Sequence, residues 1–488
     1  MFDQGGDFGG ARDLGVPWSR AWSRPLRPYS MVDLFAGCGG LSLGFETVGF
    51  EPVFVNELNP HAMDTYRANR FHAPGNEPFA TNDELKCHDV AELLDPAEVA
   101  AVKARLSSLG THDLRFPSCG PGSTLDVLAG GPPCQGFSGI GHRRTHNVDR
   151  EKVPSNHLYA AMAEVIESLR PRIFLFENVR GLRHARWSAS GGLVWDSVKK
   201  RFLQLENKGY VVRAALVRAR DFGVPQNRPR VLIIGIRRDI AEDASDLLDL
   251  DPGLAEDDDR GAIRAGFVPD PAKDSVRPPG LANLLGDLED PAIAGILQEA
   301  KRTGCYPPGE LKTETYPRPK PEKGVQSWLR GQWYRVPAER VGRLTEQVYS
   351  RHSKTVLERF SWILDPDAGE LPPELRTKKF RQVALPAEWG KDGPFITATS
   401  LPDDYVHYAQ PRILTVREWA RLQLFPDWYV FKGPRTTGGL RRAGNPREGR
   451  FGREVPMYTQ VGNAVPVPLA AAIAGRFRLI LDRATGGR

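Results

Sequence analysis

The stretch from Met31 to Glu57 constrains this chain more than any other. Met31 to Phe35 is an apolar run that breaks into Ala36-Gly37-Cys38-Gly39-Gly40, and a helical stretch follows to Val48. Pro52-Val53-Phe54-Val55-Asn56-Glu57 then reads as a strand, and Pro60 to Arg70 as a helix with proline at its first position. Strand, helix, strand, helix at this spacing is the pattern of a parallel α/β sheet. The alternation continues through strands at Leu125–Ala129, Ile173–Phe176, Tyr210–Val217 and Val231–Ile236, with helices at Asn156–Leu169 and Leu193–Leu205. It stops after residue 238.

The expected fold is therefore α/β: a Rossmann-like sheet over residues 29–238, completed by 456–488, where Pro466–Leu481 is one apolar helix able to pack back on it. Residues 239–455 carry many prolines, among them Pro278, Pro279, Pro307 and Pro308, and scattered aromatics such as Trp328 and Trp333. They are expected to form a second domain, irregular and partly β. Pro96 to Leu109 is an extra helix, and residues 1–28 read as a disordered tail.

Of the 488 residues, 40% are hydrophobic and 26% charged, enough for a sizeable core under a wet surface. No unbroken apolar run approaches the roughly 18 residues of a membrane span, and the N-terminal segment lacks an apolar signal region. A cytoplasmic monomer without a membrane partner is the expectation. The five cysteines are odd in number, and none are paired at metal-ligand spacing, which argues against a disulfide framework and against a metal site. The net charge of +6 is unevenly spread. Glu242 to Asp259 holds nine acids and no base, whereas Lys432 to Arg453 holds seven bases and one acid, Glu448. Such asymmetry fits a polyanionic partner, most often nucleic acid, or two solvated loops.

Four places could carry chemistry. Gly130-Gly131-Pro132-Pro133-Cys134-Gln135-Gly136-Phe137-Ser138 delivers a cysteine from the end of a buried strand, where ligands of open α/β sheets bind. As a thiolate Cys134 is a nucleophile; otherwise it is a small apolar residue in a turn. Glu177 ends the strand Ile173–Phe176, a poorly solvated place suited to holding a proton near neutral pH; otherwise it caps the next helix. The Gly-rich turn from Asp33 is followed by Glu57, 20 residues after Gly37, the Rossmann spacing for an adenosyl cofactor whose ribose meets the acid. Arg228 and Arg230, in Gln226-Asn227-Arg228-Pro229-Arg230, project from one side of an extended segment and suit a base carbonyl or a phosphate; otherwise they are surface residues.

Together these segments resemble the DNA cytosine-5 methyltransferase family. Asp33 to Gly40 is similar to its cofactor loop, Gly131 to Ser138 to its nucleophile loop, Glu177-Asn178-Val179 to its Glu-Asn-Val motif, and Gln226 to Arg230 to its Gln-x-Arg-x-Arg. Arg417-Glu418-Trp419-Ala420-Arg421-Leu422-Gln423, with Phe425-Pro426, resembles the late motif within 385–431, and Gln460 to Val465 the last one. The resemblance implies an S-adenosylmethionine-dependent methyltransferase sheet with a target-recognition domain at 239–455. It implies methyl transfer to C5 of a flipped-out cytosine in a specific double-stranded DNA sequence, through a covalent bond between Cys134 and C6. Glu177 and Arg230, with Arg228, would assist. Phe35, Gly37, Gly39, Gly40, Glu57, Asp89, Pro132 and Asn463 would meet S-adenosylmethionine. Gln135 and Ser138 would touch DNA, as would Arg441 and Arg442 of the basic loop 432–453. The same chemistry on transfer RNA is the alternative, and the long unmatched segment 240–385 favours duplex DNA. A role in restriction–modification, beside an endonuclease of the same specificity, would follow.

Overall fold

The computed structural model describes residues 28–71, 89–112, 125–133, 153–273, 276–333, 336–377, 382–398, 402–436 and 454–486. A six-stranded sheet organises the first half. Its strands are β1 (Tyr29–Leu34), β2 (Phe50–Asn56), β3 (Val127–Gly130), β4 (Ile173–Val179), β5 (Tyr210–Arg218) and β6 (Pro229–Arg237), in the spatial order β2-β1-β3-β4-β6-β5. The first four strands run parallel, and β6 runs against both β4 and β5. Strands buried on both faces read as unbroken apolar runs, which is why the alternation was legible.

Successive side chains point to opposite faces of a strand. Ile173 and Leu175 accordingly enter one core, and Phe174 and Phe176 the other. The first face is covered by α1 (Gly40–Glu46) and the long C-terminal helix α10 (Val467–Ala484), whose Leu469, Ile473, Phe477 and Leu481 meet Met31, Phe45 and Ile234. A methyl on Gly44 of α1 would lie 2.4 Å from Ala470 Cβ and 2.7 Å from Val467 O, so glycine there lets the two helices touch. The second face is covered by α3 (Pro96–His112), α4 (Leu158–Leu169) and α5 (Val194–Leu203). Gly235 of β6 makes room for its cross-strand partner Phe174, whose ring would otherwise meet a Cβ at 2.0 Å. Helix α2 (Pro60–Ala68) follows β2, its N-cap Asn59 accepting from His61 and Ala62 amides.

One expectation needs correcting. The body of the sheet does not end at residue 238, because Ile240, Ala244, Leu248, Ile263, Phe267 and Val268 share a core with β1, β6 and α10. The acidic run lies inside this extension. Asp258 pairs with Lys199 at 2.7 Å and accepts from Trp195 at 2.9 Å, Asp259 pairs with Arg183, and Asp246 pairs with Arg483 at 2.9 Å. It is a docked segment with local partners. The later region is irregular and partly β. Its named strands among the described residues are β7 (Val383–Ala384) and β8 (Tyr405–Val406), and its larger pieces are the helices α6 (Pro291–Thr303), α7 (Lys354–Leu364) and α8 (Val416–Leu422). Met457–Ala484, which comprises α9 (Met457–Asn463) and α10, is long and apolar enough by composition to cross a membrane, while no unbroken apolar run within it is. Its most apolar window is 72% buried inside this fold.

A third core joins the late region to the sheet. Leu284, Leu329, Trp333, Trp419, Leu422 and Phe425 pack with Cys38 of the glycine turn, with Leu43 of α1 and with Val461 and Val467. The late region is thus built onto the edge of the sheet that carries the candidate site.

Candidate active site

Parallel strands deliver their carboxyl ends to one edge of a sheet, and the reversed β6 delivers its start to the same edge. Val179, at the end of β4, therefore stands opposite Arg230, near the start of β6. Across this junction the Glu177 carboxylate forms an ion pair with the Arg230 guanidinium, and both side chains are buried. Burial lowers the proton affinity of Arg230, and Glu177 acts against that loss. The acid is therefore paired, whereas the sequence suggested only an apolar slot.

The nucleophile loop leaves β3 beside this pair. A methyl on Gly131 would lie 2.8 Å from Glu177 Oε2, and the Asn178 side-chain amide donates to the Pro132 carbonyl at 2.9 Å. The Glu-Asn pair at the end of β4 thus braces the chain two and three residues before Cys134. Cys134 itself, with Gln135 and Ser138, lies outside the described residues, as do Arg441 and Arg442.

Arg228 is placed differently from the role expected for it. It is buried, donating to the Ala398 carbonyl at 2.7 Å and the Gly462 carbonyl at 2.6 Å. Burial, then the neighbouring Arg230, lowers its proton affinity. Its two Nη groups are spent on backbone, so it ties the start of β6 to the late region and to α9. Gln226 does the same: its Nε2 donates to Leu422 O at 2.9 Å and Gln423 Oε1 at 2.7 Å, and its Oε1 accepts from the Ala398 amide at 2.9 Å.

At the other end of the same edge, the glycine turn holds three left-handed residues: Phe35 at φ 58°, Gly37 at 57° and Gly39 at 86°. This conformation costs an ordinary L-residue roughly 1–2 kcal/mol. Phe35 is fixed in it by its amide's bond to Asn56 Oδ1 at 3.3 Å and by the bond from the Ala36 amide to Asn56 O at 2.9 Å. The Glu57 carboxylate accepts from the Gly37 amide at 2.8 Å and the Asn59 amide at 2.7 Å. Burial pushes this carboxyl up, against those amides, which favour its charged form.

The glycines of the turn differ in what surrounds them. A methyl on Gly37 would meet nothing within 4 Å. On Gly39 it would meet Tyr429 Oη and Tyr66 at 2.8 Å, and on Gly40 it would meet Val465 O at 2.5 Å. Gly37 leaves space for a ligand, while Gly39 and Gly40 let protein close in behind it. Beside that space stand Glu57 and the exposed Leu58 (65%), and the exposed Asn463 ends α9, whose Gln460 carbonyl accepts from Cys38 and which leads to Val465 against Gly40. An adenosyl group fits such a set, with an open backbone approach, a carboxylate for hydroxyls, an apolar surface and an amide. Asp89 is exposed and caps a short helix, its carboxylate accepting from the Ala91 amide at 3.0 Å. Below the turn, Asp33 is fully buried; Ser42 donates to it, and Tyr66 donates to Ser42 at 2.8 Å. Burial, against the Ser42 bond, pushes the Asp33 carboxyl up to about 7.

Sequence reasoning did not show that the late motif is core. Arg412, Arg417 and Arg421 are among the largest fully buried side chains. Arg421 pairs with Asp287 and with Asp427, Arg417 with Glu346, and Arg412 with Glu418 through bonds of 2.7 and 2.8 Å. Arg330 is buried against Asp287 and stacks 3.6 Å from the Tyr316 ring centroid, and Trp333 is 4% exposed. These residues hold the region together and are not presented to a ligand.

Comparison with known proteins agrees with this geometry. The family model described as C-5 cytosine-specific DNA methylase matches residues 29–91 and 118–478. Among curated proteins, the chain is 29% identical over 445 residues to Type II methyltransferase M1.HphI of Haemophilus parahaemolyticus, covering 91% of this chain and 85% of that one. It is 27% identical over 452 residues to Type II methyltransferase M.DdeI of Desulfomicrobium norvegicum, covering 92% and 88%. Among solved structures, a protein described as a putative DNA modification methyltransferase encoded within a prophage of E. coli shares the fold with a TM-score of 0.58 at 23% identity, covering 93% of this chain and 99% of that one. The match extends over most of the chain and through every motif of the site: the chain belongs to the C-5 cytosine-specific DNA methylase family.

Proposed function

We propose that the chain methylates C5 of a flipped-out cytosine in double-stranded DNA, using S-adenosylmethionine and a covalent bond from Cys134. The observation that carries this reading is the buried Glu177–Arg230 pair set against Gly131 at the start of the loop that ends in Cys134. C5 of cytosine is too weak a nucleophile to accept a methyl group unaided. Addition of the Cys134 thiolate to C6 opens the C5–C6 double bond and makes C5 electron-rich. Glu177 holds a proton at N3, where negative charge would otherwise build up, and Arg230 fixes the direction of that carboxyl. Gly37, Glu57 and Asn463 would hold S-adenosylmethionine, which would supply an electrophilic methyl group to C5 and leave as S-adenosylhomocysteine. Loss of the C5 proton then lets the thiolate leave and restores the ring. The target atoms lie within a stacked duplex, and turning the base out costs a few kcal/mol, which contacts from the late region and the basic loop around Arg441 and Arg442 offset.

The curated relatives are named Type II methyltransferases, which supports a protective role for this chain in a restriction–modification system. The test is a duplex carrying 5-fluorocytosine, in which the C5 position cannot shed its substituent. Incubated with protein and S-adenosylmethionine, it should give a crosslinked species with wild type and none with Cys134→Ala. Absence of crosslink and of labelled methyl transfer from wild type across a pool of sequences would end the reading.

A further inference from the structure

The glycine turn is held from two sides. From the sheet, Asn56 and Glu57 bind the amides of Phe35, Ala36 and Gly37. From the late region, the buried Tyr429 hydroxyl donates to the Cys38 carbonyl, and its oxygen sits where a Gly39 side chain would begin. Burial moves this phenol away from ionisation, so it remains a donor. Tyr429 is itself fixed: Arg417 donates to its carbonyl at 2.7 Å, and Arg70, paired with Glu46 at 2.9 Å, donates to its oxygen at 3.4 Å. Arg417 is anchored in turn by Glu346, which also accepts from the Phe431 amide at 3.1 Å. An unbroken set of buried contacts thus runs from residue 346 to the backbone of the turn.

We infer that Tyr429 is a positioning residue for the cofactor: it holds the 35–39 turn in its left-handed form before any ligand arrives, so that the late region sets cofactor affinity. This rests on the cofactor reading above. A turn with alternating left-handed residues relaxes unless surrounding structure over-determines it, and the sheet holds only its first half. Of the Cys38–Gly39 peptide, the Gly39 amide donates to the Ala36 carbonyl at 2.9 Å within the turn, and Tyr429 braces the Cys38 carbonyl from outside it.

The test compares Tyr429→Phe with Tyr210→Phe. Tyr210 donates a matched buried bond to the Pro171 carbonyl at 2.7 Å, at the first residue of β5 on the opposite edge of the sheet. Both variants lose one hydroxyl-to-carbonyl bond and keep the ring, and Tyr429→Phe also loses the long 3.4 Å bond from Arg70, so both should fold with small losses of thermal stability. Calorimetric binding of S-adenosylhomocysteine, without DNA, should weaken about fivefold in Tyr429→Phe, the equivalent of one lost hydrogen bond, and stay at the wild-type value in Tyr210→Phe. Amide exchange at Gly37 and Gly39 in the ligand-free protein should quicken only in Tyr429→Phe. Equal affinities and equal exchange in the two variants would remove Tyr429 from this role and leave it a packing residue. If exchange quickens as expected but wild type does not bind S-adenosylhomocysteine, the cofactor reading fails, and the assignment of Tyr429 fails with it.

Discussion

Replacing Arg412 with leucine should cost this protein a large part of its stability, in a way that pH reports. Arg412 is 1% exposed and Glu418 fully buried. Two hydrogen bonds of 2.8 and 2.7 Å join them, and Glu418 accepts further from the Thr415 amide at 2.9 Å and Gln347 at 3.2 Å. In the intact protein the nearby His407 is uncharged, since burial, then Arg412, holds its pKa at about 3. Burial drives the Glu418 carboxyl up, but the charge and hydrogen bonds of Arg412 prevail and hold it at about 2. That lies below its value of about 4.3 in an unfolded chain. The pair's contribution is therefore complete above that unfolded value and is lost as pH falls through the folded one. In Arg412→Leu, burial acts almost alone on an orphaned carboxylate, and the cost of breaking such a pair is about 3–5 kcal/mol at pH 7.5. Native domains hold only about 5–15 kcal/mol in all. Acidification to pH 5 should shrink the deficit, because a proton can neutralise the orphan. Urea unfolding at both pH values measures this, and the double variant Arg412→Leu/Glu418→Leu should recover much of the loss. A single-variant deficit below about 1 kcal/mol, or one that does not narrow at pH 5, would refute the reasoning.

Glu177→Gln should lower the methyl-transfer rate about 10²–10⁴-fold while duplex binding by gel shift stays unchanged; a rate near wild type would take Glu177 out of the chemistry. Gly44→Ala, pressing on Ala470 Cβ at 2.4 Å, should destabilise by about 1–3 kcal/mol in thermal or urea melts, and an unchanged melt would contradict the close approach of α1 and α10. Charge reversal of Arg441 and Arg442 to glutamate should weaken binding to all duplexes alike and flatten the plot of log affinity against log salt by about 0.9 for each phosphate that is no longer neutralised. Weakening confined to one DNA sequence would make these residues base readers.

Much of the sheet was legible because parallel strands are apolar on both faces and leave continuous runs. Ile173–Phe176 and Val231–Ile236 read correctly for that reason, and so did the C-terminal helix that closes the first face. The glycine turn and Glu57 were legible because a left-handed backbone and a strand-end acid are local requirements. What could not be read was the placement of charge. Arg228, Arg417 and Arg421 look like surface residues or DNA contacts in a sequence, and only tertiary structure supplies the carbonyls and carboxylates that bury them. The boundary at residue 238 failed similarly: the acids of 242–259 suggest a solvated loop, yet Ile240, Leu248, Ile263 and Phe267 carry the segment into the core while the acids find partners at its rim. The late region was legible only as irregular because its order comes from buried ion pairs and short helices, which have no periodicity to detect.

The reversal of β6 has a geometric consequence. A sheet whose strands all run one way offers only exits along one edge, and whatever begins a strand is left on the far side. β6 is nine residues long, so at about 3.4 Å per residue turning it around would carry Arg230 most of a strand's length from Glu177. One strand laid head to tail against its neighbours lets an entrance and an exit share a doorway, and the cation meets the acid across a single interstrand gap.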